Sequence, residues 1–355
     1  GNEAVPAEIH FVIDKAAPAL TISGIGDGEM TRQEVTLNLR AEDYNHDFSK
    51  YRVVVTRSDI DGELENQSFV YPAEQWTEEV AVATKSLSFS KEGIYKVTFD
   101  AVDKAENEAA TASISFSIDA TAPVISEVVY SDDNGLLGVK YHNIYSNHAI
   151  LVEFKVKDQI VGVNEQKVYV TVGKPEEKGL FPQMYIAHKA IGNSYYVYIP
   201  TDLSVSEFDD TITIWANDKL DNEGYVTSLN IIFNTNKPEI RMDCDTDYTK
   251  WTNQSVTFHT TVTDAKAGIK EIVYKINNEK VKTVTFDSLT TSYSYDLTAV
   301  DSADKVTGYV VSVEVTNNCG TSNTMQRRVY IDKVKPKVSL SGIQNGTHYD
   351  ASQTF

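Results

Sequence analysis

The strongest constraint on this chain is a short motif that recurs four times, at intervals close to the length of one small domain. Each copy has apolar residues, then Asp or Asn, and a proline four residues later. The prolines are Pro18, Pro123, Pro238 and Pro336, so the intervals are 105, 115 and 98 residues. Regular intervals of this kind are the sequence signature of repeated domains.

A second motif keeps a nearly constant distance from the first. It begins with Asp or Asn and has Asn or Thr at its fifth position, and it lies 20, 20 and 19 residues before the proline. The copies are Asp103-Lys-Ala-Glu-Asn107, Asp218-Lys-Leu-Asp-Asn222 and Asn317-Asn-Cys-Gly-Thr321. Asp and Asn are favoured in turns because their side chains hydrogen-bond the local backbone. We therefore predict that this motif forms the turn between the last two strands of each repeat.

Apolar and polar residues alternate in the segments between these motifs. Examples from the three repeats are Val35, Leu37, Leu39 and Ala41, then Ile150, Val152, Phe154 and Val156, and Val256, Phe258, Thr260 and Val262. A period of two indicates strands with one buried and one solvated face, which suits antiparallel sheets. Short strands in domains of about 100 residues predict an all-β fold of tandem β-sandwiches.

The two motifs set the predicted domain boundaries. Three complete repeats are expected, at residues 15–119 (first repeat), 120–236 (second repeat) and 237–332 (third repeat). Residues 1–14 are interpreted as the last strand of a preceding repeat, and residues 333–355 as the start of a further one. Proline restricts the backbone on both sides of each boundary, so short, stiff linkers and an extended rod are expected.

The first repeat carries the residues of a family resemblance. Its segment Gly93-Ile-Tyr95-Lys-Val97-Thr-Phe99-Asp-Ala101-Val-Asp103-Lys-Ala105-Glu-Asn107, with the Ile-Asp-x-x-x-Pro exit, resembles the tandem immunoglobulin-like repeats of Gram-positive cell-surface proteins. The third repeat adds Trp251-Thr-Asn253 and Asp264-Ala-Lys-Ala-Gly268. The resemblance implies immunoglobulin-like β-sandwiches on the cell surface or in the cell wall. The second repeat departs most, with Asp210 where a tyrosine is usual, so an atypical edge is expected there.

The charge of the chain excludes some partners. It has 32 Lys and Arg against 51 Asp and Glu, a net charge of −19. Nucleic acids and anionic membrane surfaces would be repelled, so neither is an expected partner. No apolar run approaches the roughly 20 residues that cross a bilayer, so no membrane insertion of this segment is expected. The expected partners are other domains of the same long surface protein.

Acidic residues at the repeat boundaries suggest calcium. Asp119 leaves the first repeat where Asp158 and Asp218 of the second are expected to approach, and Asp14, Asp43 and Asp103 form the equivalent set one boundary earlier. The third boundary supplies Asn234, Asp264 and Asn317, a weaker set. No cofactor is required for such a fold, but calcium would stiffen these boundaries. The alternative is that these acids cap turns and keep the surface soluble.

The string Asp243-Cys-Asp245-Thr-Asp247 also resembles a calcium loop. An EF-hand would need Gly and Glu where Tyr248 and Gln254 stand, so only a looser site or an exposed acidic turn remains. Cys244 within it and Cys319 are the only cysteines. A disulfide between them is one hypothesis, although their expected places near opposite poles of the third repeat favour free thiols.

Tyrosines and histidines cluster in the second repeat and suggest a ligand site. The candidates are Tyr141, His142, Tyr145, Tyr185, His188, Tyr195 and Tyr196, with a long loop expected between residues 173 and 188. Exposed rings there could bind host glycan or protein. The alternative is that alternate tyrosines point into the core.

No catalytic motif is present, so we predict that the segment is not an enzyme. Lysine–asparagine cross-links occur in some related repeats, but no matched set could be assigned. The leading hypothesis is a non-catalytic stalk that presents a distal adhesive or catalytic domain. The alternatives are a recognition module in the second repeat and an accessory module that positions a catalytic domain.

Overall fold

The computed structural model describes residues 7–58, 64–175, 184–199, 206–300, 308–339, 341 and 345–348. Within these ranges the regular elements are β-strands and two short 3₁₀ turns, Phe48–Lys50 and Ala73–Gln75, so the predicted all-β fold is confirmed. Residue contacts divide the chain into two units. Unit 1 contains Gly1–Tyr130, Leu151–Ile199 and Ile212–Ser228, and unit 2 contains Ser131–Ile150, Pro200–Thr211 and Leu229–Phe355.

The first repeat lies in unit 1. Its described strands are β1 (Ala19–Ser23), β2 (Glu29–Thr31), β3 (Val35–Glu42), β4 (Arg52–Ser58), β5 (Leu64–Phe69), β6 (Thr77–Glu79), β7 (Val82–Phe89), β8 (Gly93–Asp100) and β9 (Ala112–Ile118). They form one sheet of order β1-β3-β7-β6 and another of order β2-β9-β8-β4-β5. Neighbouring strands are antiparallel except β2 and β9, which are parallel.

The alternation read from the sequence places the core of this sandwich. Along β3 the side chains of Val35, Leu37 and Leu39 are buried, and those of Thr36 and Asn38 between them are exposed. The aromatic rings of Tyr51, Trp76, Phe99 and Phe116 complete the interior. Aromatic residues of this size contribute most of the apolar area that holds a small sandwich together.

Unit 1 also contains most of the second repeat's strands. They are β10 (Val124–Asp132), β14 (Ile150–Lys157), β15 (Val163–Val172), β16 (Met184–Ile186), β17 (His188–Lys189), β18 (Ser194–Ile199), β20 (Ile212–Asp218) and β21 (Glu223–Thr227); β10 ends and β14 begins just across the border with unit 2. The sheet orders are β10-β14-β18-β17 and β16-β15-β20-β21.

Unit 2 contains the remaining strands of the second repeat. They are β11 (Gly135–Leu136), β12 (Val139–Lys140), β13 (Asn143–Ser146), β19 (Glu207–Asp210) and β22 (Asn230–Asn234). Here β11 pairs with the last residues of β10, and β12, β13, β22 and β19 form a sheet in that order. Asp210 is the last residue of β19, so a strand ends at the position where the sequence departs from the family pattern.

The third repeat lies wholly in unit 2. Its described strands are β23 (Glu239–Cys244), β24 (Trp251–Thr252), β25 (Val256–Thr263), β26 (Ile269–Ile276), β27 (Glu279–Thr285), β28 (Ser292–Ala299), β29 (Tyr309–Asn317) and β30 (Ser322–Ile331). The sheet orders are β23-β25-β28 and β24-β30-β29-β26-β27, and Phe258 and Tyr274 are fully buried between them. The first and third repeats therefore share one architecture, while the domain boundaries between them remain predictions.

Candidate functional sites at the repeat joints

The same turn forms wherever the recurring proline motif occurs, and we call it the exit turn. The Oδ1 atom of the Asp or Asn accepts a hydrogen bond from the backbone N–H two residues later. The N···O distances are 2.9 Å at Asp14, 3.1 Å at Asp119, 2.8 Å at Asn234 and 2.9 Å at Asp332. Both Asp and Asn can form this turn because only a carbonyl-type oxygen is needed. This turn explains why the position four residues before each proline of the motif is always Asp or Asn.

The second motif forms a tight turn as predicted, and we call it the hairpin turn. Its first residue accepts a hydrogen bond from the backbone N–H four residues later, at 2.8 Å in all three repeats. In the second repeat the Asn222 side chain also donates from Nδ2 to the backbone oxygen of Asp119, at 3.1 Å. In the first repeat Asn107 contacts the backbone oxygen of Asp14 in the same way, at 3.4 Å. Each hairpin turn thus holds the chain entering its own repeat.

These turns bring together both sets of acids that the sequence predicted. In the described part of the chain, carboxylate oxygens of Asp14, Asp43 and Asp103 lie within 4.8 Å of one another, and we call this group the first joint. The second joint consists of Asp119, Asp158 and Asp218, with the same mutual limit. Asp103, Asp119 and Asp218 are at most 1% exposed, so a large part of this negative charge is removed from solvent.

Hydrogen bonds from the backbone stabilise part of the charge at the second joint. Asp158 accepts from the N–H groups of Ile160 and Gly162 through Oδ1, at 3.2 and 2.6 Å, and Asp119 accepts from Val161 through Oδ2 at 3.3 Å. Among the described residues, no lysine or arginine forms an ion pair with any of the six joint aspartates. The side chains that offset the repulsion between the carboxylates by direct contact are therefore neutral amides, those of Asn45, Asn107 and Asn222.

The two acidic joints differ in their pKa values. Burial raises the pKa of Asp119, and the charges of Asp158 and Asp218 raise it as well, against the lowering effect of the backbone hydrogen bonds. At Asp103 burial also disfavours the charge, but the side-chain amide and N–H of Asn107 outweigh it and lower the pKa. The charged form is therefore disfavoured at Asp119 of the second joint and favoured at Asp103 of the first.

The donor set at both acidic joints suits a hard divalent cation. Three carboxylates offer up to six oxygens, and calcium takes six to eight oxygen ligands, often including backbone oxygens and water. Among the described residues the Oδ2 atoms of Asp43 and Asp158 accept no hydrogen bond, so each leaves an oxygen for a cation. Asp14, Asp43 and Asp103 would hold one ion, and Asp119, Asp158 and Asp218 another.

The third joint has the same turns with different chemistry. It consists of Asn234, Asp264 and Asn317, and Asn317 donates from Nδ2 to Oδ2 of Asp264 at 3.0 Å. Asn317 is fully buried and Asn234 is 2% exposed. Here two amide side chains stand where the acidic joints have carboxylates, so the third joint carries one negative charge, on Asp264, and satisfies it without a cation.

Apolar packing accompanies the amides at the third joint. Tyr145, Ile232, Ala267 and Cys319 form a buried cluster, which we call the apolar plug. Burial, followed by the nearby Asp264 charge, raises the pKa of the Cys319 thiol to about 12. A protonated, buried thiol acts as a small apolar side chain.

The hairpin formed by β12 and β13 adds polar contacts from the second repeat to the third. The Tyr141 hydroxyl donates to the backbone oxygen of Phe286 at 2.8 Å, and Lys140 donates from Nζ to Oδ1 of Asn318 at 2.7 Å. The sequence did not reveal these contacts. One sequence feature did indicate burial on both faces of β22, the run of apolar residues Ile231, Ile232 and Phe233. A strand buried on both faces lacks the alternation of apolar and polar residues.

The disulfide considered from the sequence is not formed, because Cys244 and Cys319 are both free. Cys319 lies in the hairpin turn beside Asp264, next to the start of β23, where Glu239 pairs with Thr263. Cys244 ends β23 and pairs with Phe258. Five residues of extended strand span about 17 Å, well beyond disulfide reach.

Burial reduces the number of second-repeat side chains that a ligand could reach. Tyr145, Tyr185 and Tyr195 are 8%, 8% and 3% exposed, so their ring faces are not open to a ligand. Tyr141 is half-buried and is engaged with Phe286, while His142 is exposed at the tip of the same hairpin. On β17 and β18, His188 lies 5.4 Å from Tyr196 between ring centroids. Residues 176–183 of the predicted loop lie outside the described residues.

The acidic string in the third repeat forms an exposed turn. Asp247 accepts hydrogen bonds from Thr249 and contacts Lys250, and together these lower its pKa. Asp245 is exposed and lies 3.5 Å from His259. These contacts match the alternative of a solvated acidic turn.

No helix among the described residues has the length and apolar character to cross a membrane. No family model matches the sequence, and no curated protein matches it.

Several solved structures resemble the chain. A tetra-tandem repeat in the extending region of a large adhesion protein is 21% identical, with a TM-score of 0.34, over 89% of this chain and 75% of that one. Fibronectin(III)-like modules of Clostridium thermocellum CbhA are 10% identical, with a TM-score of 0.25, over 59% and 99%. Cadherin domains 1–5 of protocadherin gamma B2 are 13% identical, with a TM-score of 0.28, over 90% and 61%. These likenesses concern the fold alone.

Proposed function

We propose that this chain is a non-catalytic, structural segment of a bacterial cell-surface or secreted protein. It would act as a stalk that holds a distal adhesive or catalytic domain away from the cell. The observation that carries the proposal is the exit turn, which repeats with nearly the same hydrogen bond at Asp14, Asp119, Asn234 and Asp332. A turn reproduced at every boundary serves the connection between repeats rather than a single binding site.

Calcium is the second part of this proposal. The first and second joints would each bind one calcium ion, and the ion would offset the repulsion between carboxylates that lack a cationic partner. The third joint would need none, because amides and the apolar plug occupy the corresponding place. The stalk would therefore contain two joints that depend on calcium and one that does not.

Small-angle scattering of the whole chain tests the stalk. The proposal expects a maximum dimension near that of three sandwiches end to end in calcium, and a broader distance distribution after chelation. An extended particle indifferent to chelation would keep the stalk and remove calcium from it. A compact particle under both conditions would contradict the stalk itself.

A recognition role for the second repeat is the alternative, and one observation favours it. His188, Tyr196 and Tyr198 line one outer face, and the Tyr196 and Tyr198 rings meet edge to face at 6.4 Å. Adjacent exposed rings suit a glycan or protein surface. Binding of the whole chain to a host-glycan array, lost in Tyr196→Ala with Tyr198→Ala, would support this role. An array with no signal would contradict glycan recognition by this face.

A further inference from the structure

A cavity of about 340 Å³ opens into one side of the first repeat, away from the joints. Its lining comes from both sheets, through residues of β4, β5, β7 and β8. On this side β5 is the end strand of its sheet, and β6 pairs only with Val82, Ala83 and Thr84 at the start of β7. The sandwich is therefore least closed where the cavity lies.

The apolar side chains around the cavity are less buried than the rest of the core. Val55, Leu87 and Phe89 are only half-buried, whereas Leu37 and Val97 in the same sandwich are fully buried. A sandwich of this size normally fills its interior with side chains. The cavity thus leaves part of the apolar core accessible to a ligand.

Aromatic rings form one wall. The rings of Phe69 and Tyr71 lie nearly parallel, with centroids 5.5 Å apart and planes 13° apart. Phe89 meets Tyr95 edge to face at 5.2 Å, deeper in the repeat. The Lys85 ammonium lies over the Tyr71 ring, 4.0 Å from its centroid, and the remaining half-exposed ring surface of this wall is apolar.

A fixed ion pair provides polar groups beside this wall. Arg57 donates from Nη1 to the backbone oxygen of Glu92 at 2.8 Å and contacts Glu65 through Nη2 at 3.0 Å, with 12% of its side chain exposed. Gly93 makes room for it, because a Cβ there would lie 2.9 Å from Cγ of Arg57. The guanidinium is thus held in one orientation by the backbone on one side and a carboxylate on the other.

The charge of the lining restricts the ligand. The lining has Arg57 and Lys91 against Glu65, so a cationic ligand is not favoured, while the first repeat as a whole carries 19 Asp and Glu against 10 Lys and Arg, which disfavours an anionic one. A wholly apolar ligand would displace water from the polar lining, which includes Gln67 and the Arg57–Glu65 pair, and would offer no hydrogen bond in exchange. A ring with apolar C–H faces and several hydroxyl groups satisfies both the aromatic wall and the polar groups.

We propose that this cavity, which we call the side cavity, binds an uncharged saccharide. One sugar ring would lie against Phe69 and Tyr71, and its hydroxyls would reach the Arg57–Glu65 pair and the lining serines, Ser88 and Ser90. This inference goes beyond the stalk and does not depend on it, and it concerns a different repeat from the exposed rings of β17 and β18.

Saturation-transfer NMR on the whole chain tests the side cavity, with maltose, cellobiose and lactose as probes at about 10 mM, a range that detects millimolar affinity. We expect transfer to at least one disaccharide. Phe69→Leu with Tyr71→Leu keeps apolar volume but removes the ring faces, and should weaken binding at least tenfold. Tyr44→Ala, at a tyrosine of the same repeat that is 83% exposed and outside the lining, is the matched control and should bind as the wild type does.

Two results would overturn the proposal. One is no transfer to any of the three sugars. The other is binding that survives in the double leucine variant or is lost in Tyr44→Ala. An unchanged thermal unfolding midpoint checks that the double variant is folded. Should it be destabilised, Gln67→Ala and Ser88→Ala, at exposed polar positions of the lining, replace it and are expected to weaken the same binding.

Discussion

The second and third joints have the same backbone turns but differ in the charge of the side chains that the turns bring together. At the second joint Asp119, Asp158 and Asp218 converge within 4.8 Å, and burial and mutual repulsion raise the pKa of Asp119. At the third joint Asn234 and Asn317 replace two of those carboxylates, and the amide of Asn317 donates to Asp264. The turn geometry requires only a side-chain oxygen, so the charge at these positions is free to vary and makes one joint depend on a cation.

The surroundings of the two joints support the same distinction. At the third position of the hairpin turn, the third repeat has Cys319, which is buried in the apolar plug. The second repeat has Leu220 at this position, and its backbone oxygen accepts a hydrogen bond from the side chain of Arg32. Apolar burial stabilises in any buffer, whereas clustered carboxylates are stable only when their charge is offset.

Removing part of the apolar plug should have the largest effect. Ile232→Ala is expected to lower the free energy of unfolding by about 3 kcal/mol, because it deletes a side chain that is 4% exposed. Urea titration followed by circular dichroism measures it, with Ile191→Ala, at a position 94% exposed, as the control. The loss should be the same in calcium and in chelator. Equal stability of the two variants would mean that the plug does not hold the third joint.

Calcium should stabilise the acidic joints by a somewhat smaller amount. At calcium 100-fold above the dissociation constant, each site would add about 2.7 kcal/mol to the free energy of unfolding. Asp218→Asn should reduce the shift seen by calorimetry, since it copies the residue found at Asn317. Asp245→Asn, at an exposed position, should leave it unchanged. A full shift in Asp218→Asn would exclude the second joint as a calcium site.

Exchanging the exit-turn residues should change stability by less than about 1 kcal/mol after solvent screening. In chelator, Asp119→Asn is expected to stabilise the chain, because it keeps the turn through Oδ1 and the removal of one of three repelling charges outweighs the loss of the 3.3 Å hydrogen bond from Val161. Asn234→Asp is expected to destabilise it, because it adds a second carboxylate beside Asp264. Thermal midpoints of both variants measure the effect. Shifts of the same sign would show that charge does not distinguish the joints.

The smallest predicted effect is a pH dependence. The pKa of Asp119 is raised, so the folded chain binds this proton more tightly and loses stability as pH rises through the raised pKa. In chelator, the advantage of Asp119→Asn should therefore shrink as pH falls from 7 towards about 5. Asp103 acts in the opposite sense, because its pKa is lowered and its stabilisation is lost only as pH falls below the ordinary aspartate range. If the stabilisation by Asp119→Asn grew as the pH fell, the raised pKa of Asp119 would be contradicted.

Much of the acidic joints could be predicted from the sequence. The turns are local, so the spacing from Asp119 to Pro123 and from Asp218 to Asn222 specifies them without tertiary information. The convergence of Asp158 follows once the strands are assigned, because β14 ends one residue before it. Periodicity and local turn chemistry are sufficient where the contacts repeat from one domain to the next.

The third joint and the side cavity could not be predicted in this way. Tyr141 meets Phe286 across 145 residues of sequence, and that contact exists only after two repeats have packed. The run Ile231, Ile232 and Phe233 indicated burial on both faces but not the partner. The side cavity depends on β6 ending where β7 continues, and strand ends are set by pairing rather than by local sequence.

The calcium stoichiometry of the whole chain tests the central distinction most directly. Isothermal titration should give two ions per chain, one at Asp14, Asp43 and Asp103 and one at Asp119, Asp158 and Asp218. Combining Asp119→Asn with Asp218→Asn, which copies the third joint, should leave one ion. No binding at millimolar calcium, or two ions still bound by that variant, would contradict the account.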